Sequence, residues 1–272
     1  MIAHLVNTDV GNRGILRVYI DYRRRNFNFL EEAAELFLNN IERVLLITGF
    51  PIPPSMRAET DGPPGALAIW KAVERLGGRA EILTYPEVRE ALKPFGASFV
   101  ENPNIDDYTL VLAVETPGRA ENGKYYSMSG IEVTRRAFDY AIIEARRMGI
   151  PTLAIGDGGN EAGMGNVRDI VRRHVPKGRL IASVVEADVL VTAGVSNWGA
   201  YGLLAQVSLL VGENLLQGWR EGDVVRALAS SGLIDGVLKR ALPSVDGISL
   251  AVNEGMVELL KRIVDDSIQV ME

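Results

Sequence analysis

Five short apolar runs alternate with helical stretches along most of the chain, and a glycine-dense segment directly follows the fourth run. Together these features predict an α/β fold: a mostly parallel sheet with helices on both faces, a Rossmann-like three-layer sandwich. The runs are continuous rather than alternating, as strands covered on both sides require. Residues 1–272 are expected to form one domain, because no shift of composition, internal repeat or low-complexity tract marks a boundary.

The elements follow in order. Asn7 to Gly14 is turn-rich and precedes the apolar run Ile15 to Ile20. Leu30 to Asn39 reads as a helix, with Leu30, Ala33, Ala34, Leu36 and Phe37 on one side. Arg43 to Gly49 is the first strand. Ala66 to Leu76 is a helix whose stripe is Ala66, Ile69, Trp70, Val73 and Leu76, stopped by Gly77-Gly78. Arg79 to Tyr85 is a strand, and Pro86 opens the next helix, since proline is accepted in a first turn. Tyr108 to Glu115 is a strand. Ile131 to Met148 has helical periodicity, with Thr134, Ala137, Phe138, Ala141, Ile142 and Ala145 inward and Arg135, Arg136, Asp139, Arg146 and Arg147 outward. Pro151 to Ile155 and Ala187 to Ala193 are the last strands. Gly199 to Leu216 is apolar nearly all round and predicts a buried helix, and Met256 to Val264 has helical spacing.

Composition narrows the chemistry. The chain has 272 residues, 47% of them apolar, and a net charge of -6, which argues against non-specific nucleic-acid binding. It has no cysteine, so thiolate catalysis and zinc-thiolate sites are excluded. Of the two histidines, His174 sits in the basic run Arg172-Arg173-His174 and reads as a solvated helix end. No run is long and apolar enough to span a membrane, and Met1 to Asn7 lacks the basic and apolar regions of a signal peptide. The expected location is the cytoplasm.

Four loops at predicted strand ends carry more polar groups than turns need, and in such a sheet they converge at one edge. The first, Thr48 to Gly65, is long and ends in Asp61-Gly62-Pro63-Pro64-Gly65 at a helix start. Asp61 is either an N-cap or part of a site where an anion docks on free N–H groups. The second places Glu115 at a strand end with Arg119 four residues on. These two either pair with each other or hold the two ends of a zwitterion. In the third, Ile155 to Asn166, Asp157 and Glu161 frame Gly158, Gly159 and Asn160. The two acids suit acid–base work or a hard cation, and the alternative is an anion-binding nest with capping acids. The fourth offers Ser196 and Asn197 as helix starters and ligand donors. Gly-x-Gly-x-x-Gly is matched only loosely and Walker A is absent, so the nucleotide signal is weak.

The same loops carry a resemblance. Gly156-Asp157-Gly158-Gly159-Asn160-Glu161 with Gly163-Met164-Gly165 resembles the signature of the D-glutamate cyclase family, in its C-terminal domain. Thr48-Gly49-Phe50-Pro51, Glu59 to Gly65, Glu115-Thr116-Pro117-Gly118-Arg119 and Ser196-Asn197-Trp198-Gly199 are similar to it in chain order. Asp235-Gly236 and Asp246-Gly247 resemble its late loop. The resemblance implies cyclisation of D-glutamate to 5-oxo-D-proline with loss of water. It also implies mitochondrial relatives in animals, fused there to a domain resembling hydro-lyases. The expected partners are therefore an amino dicarboxylate and either a second copy or a separate hydro-lyase-like subunit. For that reaction Asp157, Glu161 and Glu115 are the candidate catalytic acids, and Arg57 or Arg119 would hold a carboxylate. Backbone N–H groups of the glycine run would hold the oxyanion. Asp61, Gly158, Gly159, Asn160, Ser196 and Asn197 complete the expected binding set. No cofactor is required, although Asp157 and Glu161 suit a divalent cation. Two other readings stand beside this one: a nucleotide or phosphometabolite enzyme, and a non-catalytic metabolite-binding subunit.

Overall fold

The structure, a computed structural model, describes residues 1–271. Its centre is a sheet of β1 (Arg43–Thr48), β2 (Arg79–Leu83), β3 (Leu110–Val114), β4 (Thr152–Gly156) and β5 (Val189–Thr192). All neighbours are parallel and the order is β2-β1-β3-β4-β5. Leu46 of β1 lies between Ile82 and Leu112, and β3 and β4 are buried at every residue. This double cover is why the strands read as unbroken apolar runs.

Eleven helices are described: α1 (Ile2–Val6), α2 (Ile15–Arg25), α3 (Phe29–Asn39), α4 (Pro63–Arg75), α5 (Pro86–Leu92), α6 (Tyr140–Met148), α7 (Arg168–His174), α8 (Gly178–Ile181), α9 (Ser196–Val211), α10 (Glu221–Ser230) and α11 (Leu250–Met271). The layer of α3, α4 and α9 packs on the sheet, and α6 packs against β3 and β4, on the other face as right-handed crossovers require. Helix α9 is enclosed by α1, α3, α4 and α11. Trp198, Tyr201, Leu203 and Leu204 along it are inaccessible, which explains its lack of a polar stripe. No described helix is long and apolar enough to cross a membrane.

One predicted helix is cut short. Periodicity suggested 131–148, but only Tyr140–Met148 is helical. Residues 131–139 instead run irregularly beside the loops at the sheet's edge. Val133 packs with Phe50, Ile52 and Ile234. Arg135 is ion-paired to Glu87 and stacked 4.1 Å over the Tyr85 ring. Asp139, expected on the outer face, is 1% exposed. Its carboxylate accepts both Arg119 Nε (2.8 Å) and Arg119 Nη2 (3.0 Å), and Tyr125 Oη donates to it at 2.9 Å. These long-range contacts outweigh a local helical preference worth tenths of a kcal/mol per residue.

Candidate active site

The strand order reverses direction between β1 and β3, and the loops leaving the carboxyl ends of β1, β3, β4 and β5 meet beside that point. Glu115 follows β3 directly and takes a left-handed backbone, φ 47°. For a residue with a Cβ this conformation is strained, and such strain concentrates at functional sites. Its carbonyl accepts the Gly49 N–H at 3.0 Å, which joins the β1 and β3 ends.

Two helices start against each other here. Asp61, just before α4, accepts the N–H groups of Ser196 (2.9 Å) and Asn197 (2.8 Å) at the start of α9. Asn197 in turn accepts from Gly62 (2.9 Å) and Gly65 (3.0 Å) at the start of α4 through its Oδ1. Each helix thus supplies the cap of the other. Asp61 is a cap, but of the opposite helix, and the N–H groups expected to await an anion are already bonded. Ser196 Oγ donates to Glu115 Oε2 at 2.6 Å, so α9 also orients that acid.

The glycine turn after β4 folds around its own acid. The Glu161 carboxylate accepts the N–H groups of Gly158 and Gly159, both at 2.7 Å, and of Asp157 at 3.3 Å. The nest expected to hold a phosphate or an oxyanion therefore holds Glu161. Asn160 donates through Nδ2 to the Tyr126 carbonyl at 2.7 Å.

These segments enclose a cavity of about 240 Å³. Glu59, Glu115, Asp157, Glu161 and Asp246 line it, with Arg13 among them and Lys239 at its exposed rim. Phe50, Ile52, Met128 and Val237 give it apolar walls. Asp61 lies behind, with a carboxylate oxygen within 4.8 Å of oxygens of Asp157 and Asp246. Arg13 is the counter-charge. Its Nη2 is ion-paired to Asp157, lies 2.9 Å from Asp246 Oδ2, and donates to the Gly194 carbonyl at 2.7 Å. Asp9 fixes the turn that carries it by accepting the N–H groups of Arg13 (2.8 Å) and Gly14 (2.9 Å).

Burial sets the electrostatics. It raises Glu59, Asp61 and Glu115 well above the usual carboxylate range, and the neighbouring acids push each further. Asp157 and Asp246 are also raised by burial, to about 6 and about 7, with Arg13 limiting the rise. Burial pulls the Arg13 guanidinium down, but Asp157, Asp246 and Asp61 more than reverse this and hold it well above its ordinary value. Two acids poised near neutrality, bridged by a cation, form a site able to take and give protons.

Of the residues singled out from sequence, Glu115, Asp157, Asn160 and Glu161 line the cavity, and Asp61, Ser196 and Asn197 stand directly behind it. Gly158 and Gly159 form the turn. The structure does not bring Arg57 or Arg119 to the cavity. Arg57 is exposed and donates to the Gly232 carbonyl at 3.3 Å, and Arg119 is clamped to Asp139 rather than to Glu115. His174 ends α7 against Asp21 at 2.9 Å, and neither histidine lines the cavity.

Arg13 has no sequence signal, and Glu59 and Asp246 carry one as parts of the family motifs, without a role. Asp246 had a usable signal: Asp246-Gly247 is the turn of a small hairpin, with φ of 54° and 76°, a conformation that Asp-Gly favours. Asp235 supports that turn. Fully buried, it accepts the N–H groups of Val237 (2.9 Å), Leu238 (2.8 Å) and Gly247 (2.8 Å) and the Ser244 hydroxyl (2.6 Å). Gly236 has no side chain because a Cβ there would collide with the Glu59 carboxylate.

Residues 2–261 match a family model described as D-glutamate cyclase-like, C-terminal. The chain is 34% identical to the human protein "D-glutamate cyclase, mitochondrial" over 77% of its own length. It spans 38% of that protein. Among solved structures it is similar to exonuclease RecJ bound to manganese (TM-score 0.39, 13% identity, 74% of this chain and 42% of that one). It is also similar to RecJ from Thermus thermophilus in complex with Mn2+ (TM-score 0.37, 14% identity, 75% and 24%). Likenesses that loose say nothing of chemistry.

Proposed function

Because the chain belongs to the D-glutamate cyclase-like, C-terminal family, we propose that it is a carbon–oxygen lyase that cyclises D-glutamate, or a related amino dicarboxylate, to 5-oxo-D-proline with loss of water. The observation that carries this reading is the Asp157–Arg13–Asp246 bridge beside Glu115 and Glu161 in a cavity of about 240 Å³. The reaction joins the α-nitrogen to the γ-carboxyl carbon and breaks a carbon–oxygen bond there. The ammonium gives up two protons, and both leave with the departing oxygen as water. One carboxylate must accept a proton from the nitrogen and one carboxyl must deliver a proton to the oxygen. The Asp157–Asp246 pair, bridged by Arg13, takes the proton from the nitrogen and delivers one to the oxygen, with Glu115, placed by Ser196, lining the cavity beside it. The walls hold the substrate curled, which supplies the proximity that a ring closure uses.

The nucleotide reading is disfavoured by the same geometry. Both backbone anion sites foreseen for phosphate are filled, one by Glu161 and one by Asn197. The human relative is much longer than this chain, so a hydro-lyase-like subunit or a second copy remains the proposed partner. The purified chain, incubated with each glutamate enantiomer, is expected to release 5-oxoproline from the D form, with Asp157→Asn reducing the rate roughly 10²- to 10⁴-fold, as loss of an acid–base group does. No turnover and no binding of any amino dicarboxylate would remove the lyase reading.

A further inference from the structure

The cavity has a charge problem. Five carboxylates line it against Arg13 and Lys239, and the proposed substrate is itself an anion. Protonating the acids would relieve the repulsion but would also remove the base. Positive charge from outside the chain solves both difficulties.

The geometry indicates where it would sit. Glu115, Asp157 and Glu161 each place a carboxylate oxygen within 4.8 Å of the other two. Oxygens on opposite sides of a divalent cation are separated by about 4.2 Å around magnesium and up to about 5.2 Å around calcium. A trio within 4.8 Å therefore matches the shell of a calcium-sized ion as it stands and that of a smaller ion once drawn closer. Asn160 supplies an observation independent of charge. It is 2% exposed, it lines the same cavity, and its Oδ1 has no hydrogen-bond partner among the described residues. The Tyr126 carbonyl holds its Nδ2 and so fixes which way the oxygen faces. A Cβ on Gly158 would lie 2.6 Å from Met128 Sδ, 2.8 Å from that oxygen and 2.9 Å from Glu161 Oε1, so glycine lets the sulfur and both oxygens approach the turn. A buried acceptor without a donor is costly unless something fills its lone pairs. In the other group of acids, Asp61, Asp157 and Asp246, Arg13 contacts two members and helix N–H groups occupy the third. In the first trio Arg13 contacts Asp157 alone, while N–H groups of the glycine turn hold Glu161 and the Ser196 hydroxyl holds Glu115 Oε2, so an ion takes the lone pairs that remain.

We infer that Glu115, Asp157, Glu161 and the Asn160 Oδ1 together hold one divalent cation, a hard ion of the Ca2+, Mn2+ or Mg2+ class, on which the γ-carboxylate of the substrate docks. The all-oxygen donor set selects that class of ion over soft metals. The identity of the docked ligand rests on the lyase reading, whereas binding of the ion does not.

Mn2+ alone, titrated into the metal-stripped full chain, tests the site through the loss of the free-ion electron paramagnetic resonance signal and through the melting temperature. Wild type is expected to bind one equivalent and to melt higher, with Mg2+ in excess displacing the Mn2+. Glu161→Gln and Asp157→Asn are expected to lose the bound equivalent, and Asn160→Ala to weaken it at least tenfold. Glu258→Gln, on the exposed face of α11, is expected to bind like wild type. Failure of wild type to bind Mn2+, or binding unchanged in both acid variants, would overturn the inference even if a variant folded poorly. Full D-glutamate turnover by the stripped protein in chelator would also overturn the cation and leave the lyase reading intact. Bound Mn2+ with no turnover of any amino dicarboxylate would do the reverse.

Discussion

Arg13 is the residue on which the charge balance of the cavity depends. Removing it leaves Asp157 and Asp246 buried without a counter-charge, and both then rise further, since Arg13 is what limits them now. Breaking a buried ion pair from one side costs on the order of 3–5 kcal/mol. Arg13→Met is therefore expected to lower stability in urea by about that much, and Arg13→Lys by less; a change within error for both would contradict the bridge. Glu221, at the start of α10 and remote from the cavity, gives the clearest pH effect. Burial raises it to about 7, against hydrogen bonds from Tyr201 and Trp219 that pull it down. Its folded value lies above its ordinary value of 4.5, so its contribution to stability is fully present below about pH 4.5 and is lost as pH rises through 7. The loss amounts to roughly 3 kcal/mol. Glu221→Gln is expected to gain on wild type by about this amount between pH 4.5 and 7.5 in parallel urea titrations, and parallel curves would refute it. What was legible at this scale followed from position. Asp157, Glu161, Glu115 and Asn160 stand where strands end, and that is readable without coordinates. Arg13 reaches Asp157 across 144 residues, a pairing with no local signature. Arginine suits carboxylates, which points to Arg57 and Arg119 in sequence, but a carboxylate of this chain, Asp139, satisfies Arg119 just as well.

At the scale of elements, the mutual capping of α4 and α9 fixes the rim of the cavity. Asn197→Ala removes the acceptor for two N–H groups of α4 at once. A lost cap costs about 1–2 kcal/mol, and here the Asp61 side chain should lose its register as well. The double variant Asp61→Ala/Asn197→Ala is expected to cost less than the sum of the single changes, because each cap positions the other. Strict additivity in a double-mutant cycle would show the two caps to be independent. Strands were the most legible elements, since two-sided cover leaves an unbroken apolar run. The stretch 131–139 was least legible: its periodicity is helical, but Val133, Arg135 and Asp139 are each claimed by partners far away in sequence.

For the whole molecule, the strand order brings Glu115 and Asp157 from adjacent strand ends to the place where an α/β sheet leaves an opening. The net charge of -6 gave no hint that so many acids gather at one edge, because composition carries no position. The apolar, all-round character of α9 did foretell its enclosure, and with it the rigid platform that presents Ser196 and Asn197. The family match covers residues 2–261, and with them the sheet, the platform and the acid-lined cavity. The most direct measurement is 5-oxoproline release from D-glutamate by the purified chain, wild type beside Asp157→Asn, each with its fold checked by circular dichroism. Saturable turnover by wild type, reduced at least a hundredfold in the folded variant, is the result expected. Equal rates in the two proteins, or no turnover and no binding by a folded wild type, would contradict an active site built on Asp157.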